Sequence, residues 1–234
     1  MKIIAGNWKM NGTPAALRDM MAALDNVDTE NVMIICPPFP MLCTCGATHR
    51  AALGAQDVSA HDHGAYTGDV SAAMIADTGA KYVIVGHSER RQYHGETNDV
   101  VRAKAAAAIA AGLTPIICVG ETMAERDAGQ TMTIIESGVR ECVPDGGAVI
   151  IAYEPRWAIG AGLTPTRDEI AAAHDLIART LDTMGIGTTP ILYGASVKGN
   201  NAAEIMSIPH VDGVLVGGAS LKPDDFIPII TSVK

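Results

Sequence analysis

Residues 148–166 read AVIIAYEPRWAIGAGLTPT: an unbroken apolar run, a carboxylate at Glu154, a proline, and then a loop carrying Gly160 and Gly162. A short apolar run without alternation is the pattern of a strand buried on both faces, as strands of a parallel sheet are. Glu154 therefore stands at the C-terminal end of that strand. Pro155 lacks an N–H and has a fixed φ, which stops the strand and stiffens the entry to the loop. The two glycines let the loop tip bend and bring its backbone close to a ligand. Stiff ends and a permissive middle suit a lid over a site.

Comparable runs occupy residues 2–7, 32–36, 54–58, 82–85, 115–119, 191–193 and 213–216. Ala-rich helical stretches such as 100–111 and 167–184 lie between them, and Gly112 and Gly185 stand where two of these end. Strict alternation of strand and helix predicts an α/β chain of parallel strands joined by right-handed crossovers. Eight such units in 234 residues point to a closed (β/α)8 barrel, one domain over residues 1–234, with an open doubly wound sheet as the alternative.

The composition narrows the chemistry. With 48% hydrophobic and 4% aromatic residues, the core is expected to be built from Ala, Val, Ile, Leu and Met. A net charge of −9 argues against nucleic acid, whose binders carry a basic face. No run of 18 apolar residues and no basic segment ahead of an apolar stretch is present, so no membrane partner is expected. The five cysteines lack metal-ligand spacing, as free thiols in a reducing, cytoplasmic setting do. The polar loop at 59–71, with His61, Asp62 and His63, is too long for a plain connection and reads as a partner-binding loop rather than a metal site.

In a parallel barrel the residues just past each strand converge on one face. The first strand delivers Asn7 and Lys9, the fourth His87, the sixth Glu154, the seventh Gly194 and Ser196, and the eighth Gly217 and Gly218. A carboxylate, an imidazole and an ammonium, with no metal ligands and no cofactor motif, suit proton abstraction beside a carbonyl whose oxygen needs a donor. Glycine turns after the last two strands are where barrels hold phosphate. The residues by themselves thus point to a phosphorylated carbonyl compound undergoing proton transfer.

The motifs AGNWKMN (5–11), VGHSERR (85–91), YEPRWAIGAG (153–162), YGASV (193–197) and VGGASLKP (216–223) resemble, in order and spacing, those of the triosephosphate isomerase family. The resemblance covers essentially the whole chain and implies a TIM barrel. It also implies a homodimer that interconverts dihydroxyacetone phosphate and glyceraldehyde 3-phosphate through an enediolate, in glycolysis and gluconeogenesis. It makes Glu154 the catalytic base and His87 the electrophile, with Lys9 and Asn7 stabilising negative charge. Asn7, Lys9, Gly160, Ser196, Gly217 and Gly218 become substrate-binding residues. Triosephosphate isomerase is itself the standing example of an imidazole kept neutral by a helix N-terminus, so that expectation for His87 comes with the resemblance. So does the expectation that the loop with Thr67 enters a partner subunit near Asn7 and Lys9.

Several positions depart from the family pattern. Arg156 stands at a lid hinge that is usually apolar, Ala161 and Leu163 replace Thr and Lys at the tip, and Ala195 replaces a glycine. The resemblance implies two latches on a closed lid, from the Ser196 hydroxyl to the N–H of Gly162 and from the Tyr193 hydroxyl to the N–H of residue 165. Here that residue is Pro165, which has no N–H. Alternatives to the triose reaction are isomerisation of a four-carbon ketose phosphate, a non-catalytic sugar-phosphate sensor, and a Schiff-base lyase of the aldolase type. The last needs a desolvated lysine inside the ring, where the sixth strand offers Glu154.

Overall fold

The computed structural model describes residues 1–44, 49–159 and 163–233. Its strands are β1 (Ile3–Asn7), β2 (Val32–Cys36), β3 (Ala52–Ala55), β4 (Tyr82–Val85), β5 (Thr114–Val119), β6 (Ile150–Tyr153), β7 (Ile191–Tyr193) and β8 (Gly213–Val216). The helices, in chain order, are α1 (Pro14–Asp25), α2 (Phe39–Leu42), α3 (Ala72–Asp77), α4 (Ser88–His94), α5 (Asn98–Ala110), α6 (Met123–Asp127), α7 (Thr131–Cys142), α8 (Arg167–Thr183), α9 (Ala202–Met206) and α10 (Pro223–Ile230). All eight strands run parallel in sequence order, and β1 pairs with β8 to close the barrel. Closure decides between the two expected topologies: an open sheet leaves two edges, and here neither exists.

Side chains alternate across each strand. Ala5, Ile34, Ile84, Ile116, Ile150, Leu192 and Leu215 fill the barrel interior. Their neighbours, among them Ile4, Ile35, Val83, Ile151 and Val214, pack outward against helices in the larger core. Continuing that alternation past each strand end aims Asn7 beyond Ala5, Glu154 beyond Ala152, Gly194 beyond Leu192 and Gly217 beyond Leu215 at the barrel mouth.

Several expected boundaries moved by one residue, and three moved further. The third strand is Ala52–Ala55 rather than 54–58, because Gln56 turns its side chain to the carbonyls of Lys9 and Cys36 and Asp57 turns to Lys104. The sixth strand begins at Ile150 rather than 148, where its ladders to Ile116 and, one residue on, to Ile191 begin. The helix expected from residue 100 starts at Asn98, where the Thr97 side chain accepts from the Val100 N–H as its N-cap. Hydrophobic pattern marks what is buried, and pairing and capping mark where an element ends.

Candidate active site

At the C-terminal mouth a cleft of about 360 Å3 is lined by Asn7, Lys9, His87, Glu154, Ser196, Gly217 and Gly218, together with Gly194, Leu215 and neighbouring residues. Every expected site residue except Gly160 thus borders one cleft; Gly160, like Gly162, lies outside the described residues.

Gly86, at φ 67, turns the chain at the end of β4 so that His87 becomes the N-cap of α4. The His87 Nδ1 accepts the Glu89 N–H at 3.2 Å, which leaves the ring proton on Nε2. That Nε2 lies 3.0 Å from Glu154 Oε1, and the other carboxylate oxygen accepts the Ser88 N–H at 2.9 Å. Both side chains are buried, at 7% and 3% exposure, so the pairing is shielded from water.

Burial opposes charge on Glu154, yet the neighbouring imidazole and the Ser88 N–H hold its carboxyl below the usual carboxylate range. Burial likewise lowers His87, while the Glu154 carboxylate pulls it up to a net raised value. That rise favours a second ring proton, and the Glu89 N–H bound at Nδ1 opposes it. With Nδ1 accepting, the ring as arranged presents an Nε2–H to Glu154.

Lys9 adopts a left-handed backbone at φ 51, unusual for a side chain of this kind. Its N–H donates to Asn7 Oδ1 at 2.9 Å, and its carbonyl accepts from Gln56 Nε2 at 2.8 Å. The Lys9 ammonium donates to Glu89, so two strand-end residues and α4 fix its position. Across the cleft, the Lys9 side chain reaches Gly217, where a Cβ would stand in ordinary contact, 3.5 Å from Lys9 Cε. A Cβ on Gly218 would meet nothing within 4 Å, so its backbone faces open space. Ser196 is exposed at the same mouth.

Gln56 and Ser88 contribute contacts that residue type alone does not announce, while Glu121 meets Trp157, the contact that the family resemblance implies for it. Glu121 is 1% exposed, accepts the Trp157 indole N–H at 2.7 Å and the Tyr153 hydroxyl at 3.3 Å, and has its carboxyl raised by burial. Gln56 read as a strand residue, and the signal for its role is the positive φ of Lys9, which a sequence does not display. The polar loop projects outward: residues 61–69 are exposed, its base is tied by Ser59 to Asp69 and Val70, and His61 stacks on Tyr66 with ring centroids 3.9 Å apart. Among the described residues, no group of three or more His, Cys, Asp or Glu is placed to hold a metal ion, and no helix is long and apolar enough to cross a membrane.

A family model described as triosephosphate isomerase matches residues 2–233. The triosephosphate isomerase of Alkalilimnicola ehrlichii is 48% identical, over 99% of this chain and 98% of its own length. That of Acidiphilium cryptum is also 48% identical, over 99% and 98%. The crystal structure of triosephosphate isomerase from Bartonella henselae superposes with a TM-score of 0.91 at 39% identity, covering 99% of this chain and 98% of that one.

Proposed function

We propose that Glu154, His87, Lys9 and Asn7 carry the chemistry of this chain, which belongs to the triosephosphate isomerase family and interconverts dihydroxyacetone phosphate and glyceraldehyde 3-phosphate. The observation behind the assignment is that these four side chains border one cleft, with His87 and Glu154 in hydrogen-bonding contact.

Substrate entering the cleft exchanges partners with this pair. The His87 Nε2–H leaves Glu154 for the carbonyl oxygen, and Glu154 leaves Ser88 to take a proton from the adjacent carbon. With His87 and Ser88 withdrawn, burial dominates at Glu154 and strengthens it as a base at the moment of proton abstraction. The enediolate oxygens then accept from His87, Lys9 and Asn7, donors already in place in a site of low dielectric. Glu154 returns its proton to the neighbouring carbon while a hydroxyl proton passes between the two oxygens, so no atom is gained or lost. Ser196, the Gly217 and Gly218 backbone and Gly160 bind the phosphate, the glycines through N–H groups that no side chain screens.

The chain works as one domain in a cytoplasmic homodimer. Closure of β1 on β8 joins residues near both chain ends, which supports one folding unit. The exposed, internally stacked loop at 59–71 with the apolar Tyr66 and Met74 grouped on it, and the exposed Met10 next to Lys9 in the chain, support a partner surface. Light scattering of the intact protein is expected to give the mass of two chains, and a catalytically active monomer at assay concentration overturns the dimer. For the site, a coupled assay is expected to show turnover of dihydroxyacetone phosphate well above that of erythrulose phosphate. Equal turnover of the two overturns the choice of a three-carbon substrate.

A further inference from the structure

We infer that Arg126 is a positioning residue for this reaction: by stacking on Trp157 and pairing with Glu169 it fastens both roots of the lid at once, and so governs how readily Glu154 leaves His87 and Ser88. The guanidinium carbon lies 4.1 Å from the centroid of the Trp157 ring, within the range of a cation–π contact. The same guanidinium donates to Glu169 Oε1 at 2.6 Å. Trp157 sits in the turn Arg156–Ala158, three residues after Glu154 and at the lid's first root. Glu169 belongs to the second root: its other oxygen accepts the Thr166 N–H at 2.7 Å, completing the capping box that starts α8.

One side chain from α6 therefore spans the two ends of the lid. The edge of Trp157 is held by Glu121 and its face by Arg126, and the ring is 8% exposed. Because Trp157 is so near Glu154 in the chain, freeing the indole loosens the backbone that carries the base. The arrangement favours the state in which Glu154 is paired with His87, and substrate binding has to overcome it.

The inference rests on Glu154 being the base, but its readout does not. With 5-fluorotryptophan incorporated into the full chain, fluorine NMR reports Trp157 separately from Trp8, the assignment being made with Trp157→Phe. Arg126→Met keeps an apolar cover on the ring and removes the charge. Without ligand, its Trp157 signal is expected to move toward the position seen with saturating dihydroxyacetone phosphate. KM should fall about three- to tenfold, as the loss of a modest cation–π contact and a part-exposed ion pair allows, and kcat should fall with it because release requires the lid to return. Glu169→Gln keeps the capping box, removes the ion pair and should shift the signal in the same direction by less. If both variants leave the Trp157 signal at the wild-type position, or if they lower only the thermal midpoint while KM is unchanged, Arg126 merely supports the fold and the inference is wrong. Failure of Glu154 as base appears instead as activity retained in Glu154→Gln.

Discussion

Two groups of ionisable side chains draw on α4 and its N-cap, and their difference separates chemistry from scaffolding. In the cleft, Glu154 and His87 each have few partners, and both border open space. Away from the cleft, Asp57, Arg90, Glu96 and Lys104 form a cross-linked set. Lys104 bonds Asp57 at 2.7 Å and Glu96 at 2.5 Å, and Arg90 bonds the same two carboxylates at 2.9 and 2.6 Å. Burial raises Asp57, whereas on Glu96 the bonds from Lys104 and Arg90 outweigh burial and lower the carboxyl. The residue types are nearly the same. What differs is exchange: an oxygen or ring nitrogen satisfied by one partner can release it to a substrate, while a cation shared between two carboxylates has nothing to gain by moving.

The largest test of that contrast is Glu154→Gln. The amide keeps the shape and loses the base, so turnover should fall by about 10² to 10⁴-fold with little change in melting temperature. Turnover above roughly a tenth of wild type would remove Glu154 from its assigned role. In the cross-linked set the opposite holds. Lys104→Met leaves the Asp57 and Glu96 carboxylates with Arg90 as their remaining cation and should destabilise the fold by about 3 kcal/mol, the lower end of what loss of one member of a buried pair costs. Denaturant titration measures it, and the surviving folded fraction should retain near-normal kcat. A large loss of kcat at unchanged stability would erase the distinction.

His174 offers an intermediate case, buried and uncharged rather than paired. Its Nδ1 lies 2.9 Å from the His210 carbonyl, its Nε2 has no partner among the described residues, and burial pulls its pKa down from 6.5 to about 4. The unfolded chain therefore takes up a proton that the folded chain refuses. Stability should fall as pH drops through 6.5 and stop falling on this account near 4, a change of about 3 kcal/mol. His174→Gln should flatten that slope; an unchanged slope means other groups produce it.

The smallest effect concerns closing the lid over the exchangeable pair. Tyr193 is fully buried and its hydroxyl has no partner among the described residues, consistent with a proline at position 165. Ser196→Ala should lower kcat/KM by a few-fold to roughly tenfold, the worth of one neutral hydrogen bond, whereas Tyr193→Phe should change it little. An equal or larger loss from Tyr193→Phe would reveal a contact of Tyr193 made only in the closed state.

Much of this molecule is written locally in its chain. Apolar runs of three to six residues, Ala-rich helical stretches and the caps between them depend on period and residue type, which neighbours in sequence determine by themselves. So does the placement of Asn7, Glu154 and Gly217 at strand ends, since side-chain alternation runs on past the last paired residue. The tertiary structure decided the rest, because it depends on contacts between distant segments. The third strand ends early because Gln56 is drawn to Lys9, 47 residues away. His87 faces Glu154 only because β4, β5 and β6 stand side by side, with Gly86 turning the chain between strand and helix. Arg126 reaches both lid roots for the same reason. No local pattern carries such pairings, since closing the ring fixes which side chains meet and burial then sets their charge.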